Sequence, residues 1–186
     1  MLGTAGFSPT VSLDDNPFAV RRLFEKYGIE PTAVCAHAGL LEPSSPGTYG
    51  TSEIMKAVQF AAAIGIKDVG RTDTDPRSAW AKSLSHQEQV FVMAEKLCMP
   101  VEMAEDYGVR ILLEPHGPIT DTISGIQEVF DRLGNPASLG VNLDTGNSWL
   151  GGTDPVEMAK AFKDKIFHIH WKDLAAEWEP KRGTLY

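Results

Sequence analysis

"HIHWKD", residues 168–173, sets two imidazoles two positions apart ahead of a lysine and an aspartate. Read as a β-strand the stretch has two characters, because residues i and i+2 point to the same side: His168 and His170 share one face, and Phe167, Ile169 and Trp171 the other. One face is apolar and the other can do chemistry, provided that other strands bring complementary groups to the same place.

Two earlier stretches end in the same manner, "LLEPHG" at 112–117 and "NLDTGN" at 142–147. Glu114, Asp144 and His170 each stand at or near the carboxyl end of a strand, 30 and 26 residues apart, which is one βα unit each time. Parallel strands place all three at one end of a sheet, the end at which α/β proteins bind ligands. Two carboxylates and an imidazole together suit a divalent cation such as Mn²⁺, Mg²⁺, Co²⁺ or Zn²⁺. Without a cation the two acids would repel, and one would take up a proton or find a basic partner.

Each residue also has an ordinary reading. Asp144 before Thr-Gly-Asn fits an Asx turn or a helix cap. His168 fits a hydrogen-bonded inner-face residue, and His37 in "VCAHAG" is equally ambiguous. His116 follows Pro115, which commits Glu114 to extended geometry. Lys172 and Asp173 are by default a solvated pair, and Arg71, Asp73 and Asp75 in "GRTDTD" form a polar loop on the same rim. The coincidence of three strand endings favours the metal reading; no single motif does so.

Helix and strand signals alternate from residue 16 onward. Asn16 and Pro17 open a helix with Val20, Leu23, Phe24 and Tyr27 on one face and Gly28 at its end. "TAVCAHAG" follows as a strand. "TSEIMKAVQFAAAIG" repeats the helical pattern, and "IKDVGRT" is the next strand. Ser85 and Glu88 are spaced as a capping box for a helix carrying Val90, Met93, Ala94 and Leu97 inward, which Pro100 should kink or break. "VRILLE" comes next, then a helix over about 122–133, "LGVNLD", a short helix opened by Asp154 and Pro155, and "KIFHIHW". Such alternation is βαβ construction around a parallel sheet. No Gly-rich phosphate loop follows a strand, and Arg110, Asn142 and His168 interrupt the strands on one face only, which favours a barrel interior over an open sheet covered on both sides.

Composition narrows the partners. At 186 residues and 42% hydrophobic, residues 1–186 are long enough for a single domain with a real core. A formal charge of −8 and an isoelectric point near 5.1, with 17 basic against 25 acidic side chains, oppose binding to nucleic acid or an anionic membrane. Cys35 and Cys98 read as buried thiols in a reducing cytoplasm. No run approaches the roughly 18 apolar residues of a membrane span.

The three motifs, in this order and spacing, resemble the sugar phosphate isomerase/epimerase family with its xylose isomerase-like TIM barrel, over roughly residues 16 to 174. The resemblance implies a divalent metal held by Glu, Asp, His and a second Glu on successive strands; Glu114, Asp144 and His170 match the first three, and HIHWKD then ends the barrel's sixth strand. It implies catalysis by proton transfer next to a carbonyl, through an ene-diolate, with Glu114 as one acid/base. Lys172 is the second catalytic candidate, as a cation for developing negative charge. His116, Asn147, His168 and His37 are candidates for binding substrate. The expected substrate is a sugar or polyol, and the expected reaction isomerisation or epimerisation. A related lyase or dehydratase acting on a keto-sugar, keto-glycoside or inosose would use the same residues.

Five strands are legible where the family's barrel needs eight. Nothing before Asn16 reads as a strand, and Glu177 and Glu179 read as loop, too early for the second metal-bound glutamate. The expectation is therefore a partial (β/α)₈ barrel of about five βα units, truncated at both ends. Alone it should be marginal or associate, as a homo-oligomer or with a complementing chain. Two other readings stay open: an abasic-site endonuclease on the same barrel, disfavoured by acidity and only five histidines, and a non-catalytic partial barrel.

Overall fold

A computed structural model describes residues 2–3, 10–36, 39–42, 49–71, 76 and 78–184. Its strands are β1 (Leu2–Gly3), β2 (Val34–Cys35), β3 (Asp68–Arg71), β4 (Arg110–Leu113), β5 (Leu139–Asp144) and β6 (Ile166–His170). Its helices are α1 (Pro17–Tyr27), α2 (Tyr49–Ile64), α3 (Ala79–Ser83), α4 (His86–Tyr107), α5 (Ile123–Arg132), α6 (Thr145–Leu150) and α7 (Pro155–Ala161), followed by a 3₁₀ helix at Ala176–Lys181. The caps follow the sequence: Asn16 Oδ1 accepts from Phe18 and Ala19, Ser85 and Glu88 close a capping box, and Gly28 and Gly108 end their helices in the left-handed region.

All strand pairs are parallel, and their order in the sheet is that of the chain, β1 to β6. A doubly wound sheet reverses direction at a switch point, whereas an unbroken order sends every right-handed crossover to the same face. Helices therefore cover one side, α1 against α2, α2 against α4 and α4 against α5, and the sheet curls around the other. The curl brings Thr32, two residues before β2, to within 3.3 Å of His168 on β6. The result is a half-barrel. Its core lies between sheet and helices, where Val34, Val69, Ile111, Leu113 and Val141 meet Ile54, Val58, Met93, Leu97, Ile126 and Phe130.

The five legible strands are present as β2 to β6, and the structure amends the reading elsewhere. A strand does precede Asn16: Leu2 donates its N–H to Ala33 O at 2.7 Å, and two residues are too few to leave a periodic signal. Pro100 does not break α4, which continues to Tyr107. The carbonyl it deprives of a helical donor, Lys96 O, accepts instead from Thr51 Oγ1 of α2 at 3.1 Å. Cys98 is exposed rather than buried, because it stands beside the inward stripe of Met93, Leu97 and Val101. Leu23 and Tyr27 of α1 are also exposed, since that helix packs against α2 alone among the principal contacts described.

The most consequential amendment concerns Phe167. The register between β5 and β6 shifts between Val141 and Asn142, so that Val141 pairs with Ile166 but Asn142 with His168. The extra residue is Phe167, and the shift changes its parity. Instead of joining Ile169 on the outer face, its ring lies 3.9 Å from the guanidinium of Arg110, which is itself bonded to Asp68 at 2.7 Å and 3.0 Å. Gly140 makes room, because a Cβ there would meet Phe167 Cδ2 at 2.5 Å.

Candidate metal centre

Glu114 follows β4 directly, Asp144 ends β5 and His170 ends β6, with Asp144 and His170 in register. Three consecutive strands thus deliver three side chains to one end of the half-barrel. One ligand atom of each lies within 4.8 Å of the others. His170 Nδ1 is 3.1 Å from Glu114 Oε1 and 3.5 Å from Asp144 Oδ2. Glu114 and Asp144 are buried and His170 is partly so.

Asp144 combines its two readings. Oδ1 caps α6, accepting from the Asn147 N–H at 2.8 Å, while Oδ2 turns into the cluster. Lys172 Nζ stands 2.5 Å from that oxygen as an ion pair without hydrogen-bond geometry, and buried Oδ2 makes no hydrogen bond. A buried carboxylate oxygen without a hydrogen bond, facing a second carboxylate and an imidazole, is a donor set that fits a divalent cation.

The charges show what the cluster does without a cation. Burial pushes Glu114 above the usual carboxylate range against the pull of His170. Burial pushes Asp144 the same way, but the approach of His170 and Lys172 to its carboxylate outweighs it and holds this acid below its ordinary value. His170, drawn to Asp144 first and then to Glu114, is raised to about 9. Without a metal, the His170 imidazole and the Lys172 side chain thus stand against the two acids.

The other candidates divide. Lys172 does not pair with Asp173 by default; it crosses the first turn of α6, bonding Asn147 Oδ1 at 3.1 Å. Gly146 permits this, since a Cβ there would lie 2.9 Å from Lys172 Cβ. Asn147 is buried, with its side-chain oxygen turned to Lys172. His168 lies on the wall below, its Nδ1 3.1 Å from Asn142 Oδ1. His116 is half-buried two residues beyond Glu114, with its backbone N–H on Thr120 Oγ1 at 3.0 Å. His37, Asp73 and Asp75 lie outside the described residues. Glu177 and Glu179 belong to the 3₁₀ helix, and among the described residues the ligand cluster stops at three. Sequence reasoning passed over Asn142, Thr145 and Gly146 as site residues. Two-residue alternation back from Asp144 would have found Asn142.

Comparisons with known proteins agree with this architecture. A family model described as xylose isomerase-like TIM barrel matches residues 3–184. An inosose dehydratase of Geobacillus kaustophilus (strain HTA426) is 26% identical over 168 residues, covering 86% of this chain and 54% of that protein. Among solved structures, a D-tagatose 3-epimerase-like protein superposes with a TM-score of 0.77 at 21% identity, over 92% of this chain and 66% of that one. The IOLI protein with a bound zinc atom gives 0.69 at 20% identity, over 93% and 61%. The chain thus spans about half the length of that curated relative and just under two thirds of those structures, and at such identities the structural likeness is one of fold. By the match that runs over nearly its whole length, the chain belongs to the xylose isomerase-like TIM barrel family.

Proposed function

We propose that this chain carries the metal-binding part of an enzyme that moves a proton beside the carbonyl of a sugar or sugar-like polyol, as an isomerase or epimerase. The observation that carries the reading is the convergence of Glu114, Asp144 and His170 within 4.8 Å at the carboxyl ends of β4 to β6. A divalent cation held there supplies positive charge that polarises a carbonyl and stabilises the enolate oxygen. The chain's own groups do the rest. Glu114, whose proton affinity burial raises, is the group placed to take a proton from carbon. Lys172 places an ammonium at the rim, where it can face developing negative charge. Asp144 and His170 hold the cation and leave the proton transfer to Glu114.

A second reading is a dehydratase, favoured by the inosose dehydratase matched over 86% of this chain. It shares the first step, loss of a proton next to the carbonyl, and then releases a β-hydroxyl as water. Incubation with candidate keto-sugars in D₂O separates the outcomes by NMR: deuterium at the carbon beside the carbonyl marks proton transfer, and an unsaturated product marks dehydration. Glu114→Gln and Asp144→Asn should each lower bound metal, measured by elemental analysis. Unchanged metal content in both variants would remove the proposal.

A further inference from the structure

Asn142 is fully buried on β5, between Glu114 on β4 and His168 on β6. Its Nδ2 donates to Glu114 Oε2 at 2.6 Å, a short bond to an anion, and its Oδ1 faces His168 Nδ1 at 3.1 Å. The chemistry of the partners fixes these roles. A carboxylate only accepts, so the amide NH₂ must face Glu114 and the amide oxygen must face His168. His168 then carries its proton on Nδ1 and presents Nε2 to the hydroxyl of Thr32 at 3.3 Å. A one-directional chain results, from the Thr32 hydroxyl to the His168 ring, to the Asn142 amide, to the Glu114 carboxylate.

From this arrangement we infer that Asn142 is a positioning residue for Glu114, and that it holds one carboxylate oxygen on β5 so that the other is presented to the cation site. The inference rests on the metal reading above. Glu114 Oε2 is tied to Asn142, while Oε1 lies 3.1 Å from His170 Nδ1, inside the ligand cluster. The amide cannot turn over without setting its oxygen against the carboxylate. Water cannot replace it, because the side chain has no exposure. A glutamate released from this bond would sample rotamers that point both oxygens away from Asp144 and His170, and ordering it again would cost side-chain entropy on metal binding.

Titration calorimetry with Mn²⁺ on the whole chain tests this. Asn142→Leu keeps the approximate volume and removes both hydrogen bonds; Asn142→Ala does so with less steric demand. Whichever variant keeps the wild-type circular dichroism spectrum should bind Mn²⁺ about 10- to 100-fold more weakly, the usual cost of losing a group that orients a metal ligand. The same substitution in a Glu114→Gln background should cost little more, since Asn142 acts through that carboxylate. Unchanged affinity in a folded variant would overturn the inference, as would an equal loss in both backgrounds. Failure of both variants to fold would overturn it too, by making Asn142 a residue of the fold rather than of the site. A wild-type chain that binds no Mn²⁺ would remove the metal reading and this inference together, whereas binding that ignores Asn142 removes the inference alone.

Discussion

His170 sits between two acids that are drawn to it in the absence of a cation, and its proton is what a cation must displace. Its ordinary value of 6.5 is raised to about 9. A raised histidine contributes stability that is fully present below about pH 6.5 and is lost as pH rises through about 9. The chelated chain should therefore lose melting temperature across that interval, and a His170→Gln variant should show a flatter profile. Metal affinity should run the opposite way, rising over the same interval, because the imidazole must be deprotonated to coordinate. Parallel trends for the chelated and Mn²⁺-loaded chain would sink the assignment of His170 to the cluster's proton. At this scale the sequence was informative where a residue type carried its own chemistry: Glu114, Asp144 and His170 were found because each closes a strand. Asn142 was visible only as a polar interruption, since an asparagine in a strand does not advertise which neighbours its amide will face. The Lys172 pairing was hidden for a related reason, as it depends on Gly146 leaving room across α6.

Among the elements, α4 shows how a proline can lie inside a long helix. Pro100 has no N–H to donate to Lys96 O, and Thr51 of α2 supplies a hydroxyl in its place. Thr51→Val should cost about 1 kcal/mol, the usual penalty for a polar group left without its partner, read as a shift in urea midpoint. In a Pro100→Ala background the helix regains its own donor, so the same valine should be nearly neutral. Equal costs in both backgrounds would mean that Thr51 stabilises α2 by packing alone. Capping boxes and glycine stops made the helices legible because those signals are local. The Thr51 bond joins residues 45 apart, and no local pattern foretells it. The β6 register shift is the converse case: it changes the parity of Phe167 within a strand whose alternation had looked complete, and only the fit of Gly140 against the ring reveals it.

For the molecule as a whole, the half-barrel leaves β1 and β6 as the two outermost strands of the described sheet. Beside β6, Ile169 is 48% exposed and Trp171 83%, next to a backbone edge with pairing capacity. An apolar patch on a strand edge that is unpaired among the described residues is the arrangement that most favours association with another chain, through added parallel pairing and through burial of the indole. Apolar burial contributes roughly 25 cal/mol per Å², so a tryptophan moved from water into an interface would by itself favour association. The chain should therefore sediment above its 20.3 kDa mass as concentration rises. Trp171→Glu should return it toward the monomer, because a charge there opposes burial. Bound Mn²⁺ should persist in that variant, since the tryptophan is not one of the clustered ligands. A wild-type chain that stays monomeric at every concentration would show that the exposed edge is tolerated in water. A variant that loses metal together with association would instead tie the centre to the interface, and the complementing strands would then have to be sought in the partner copy.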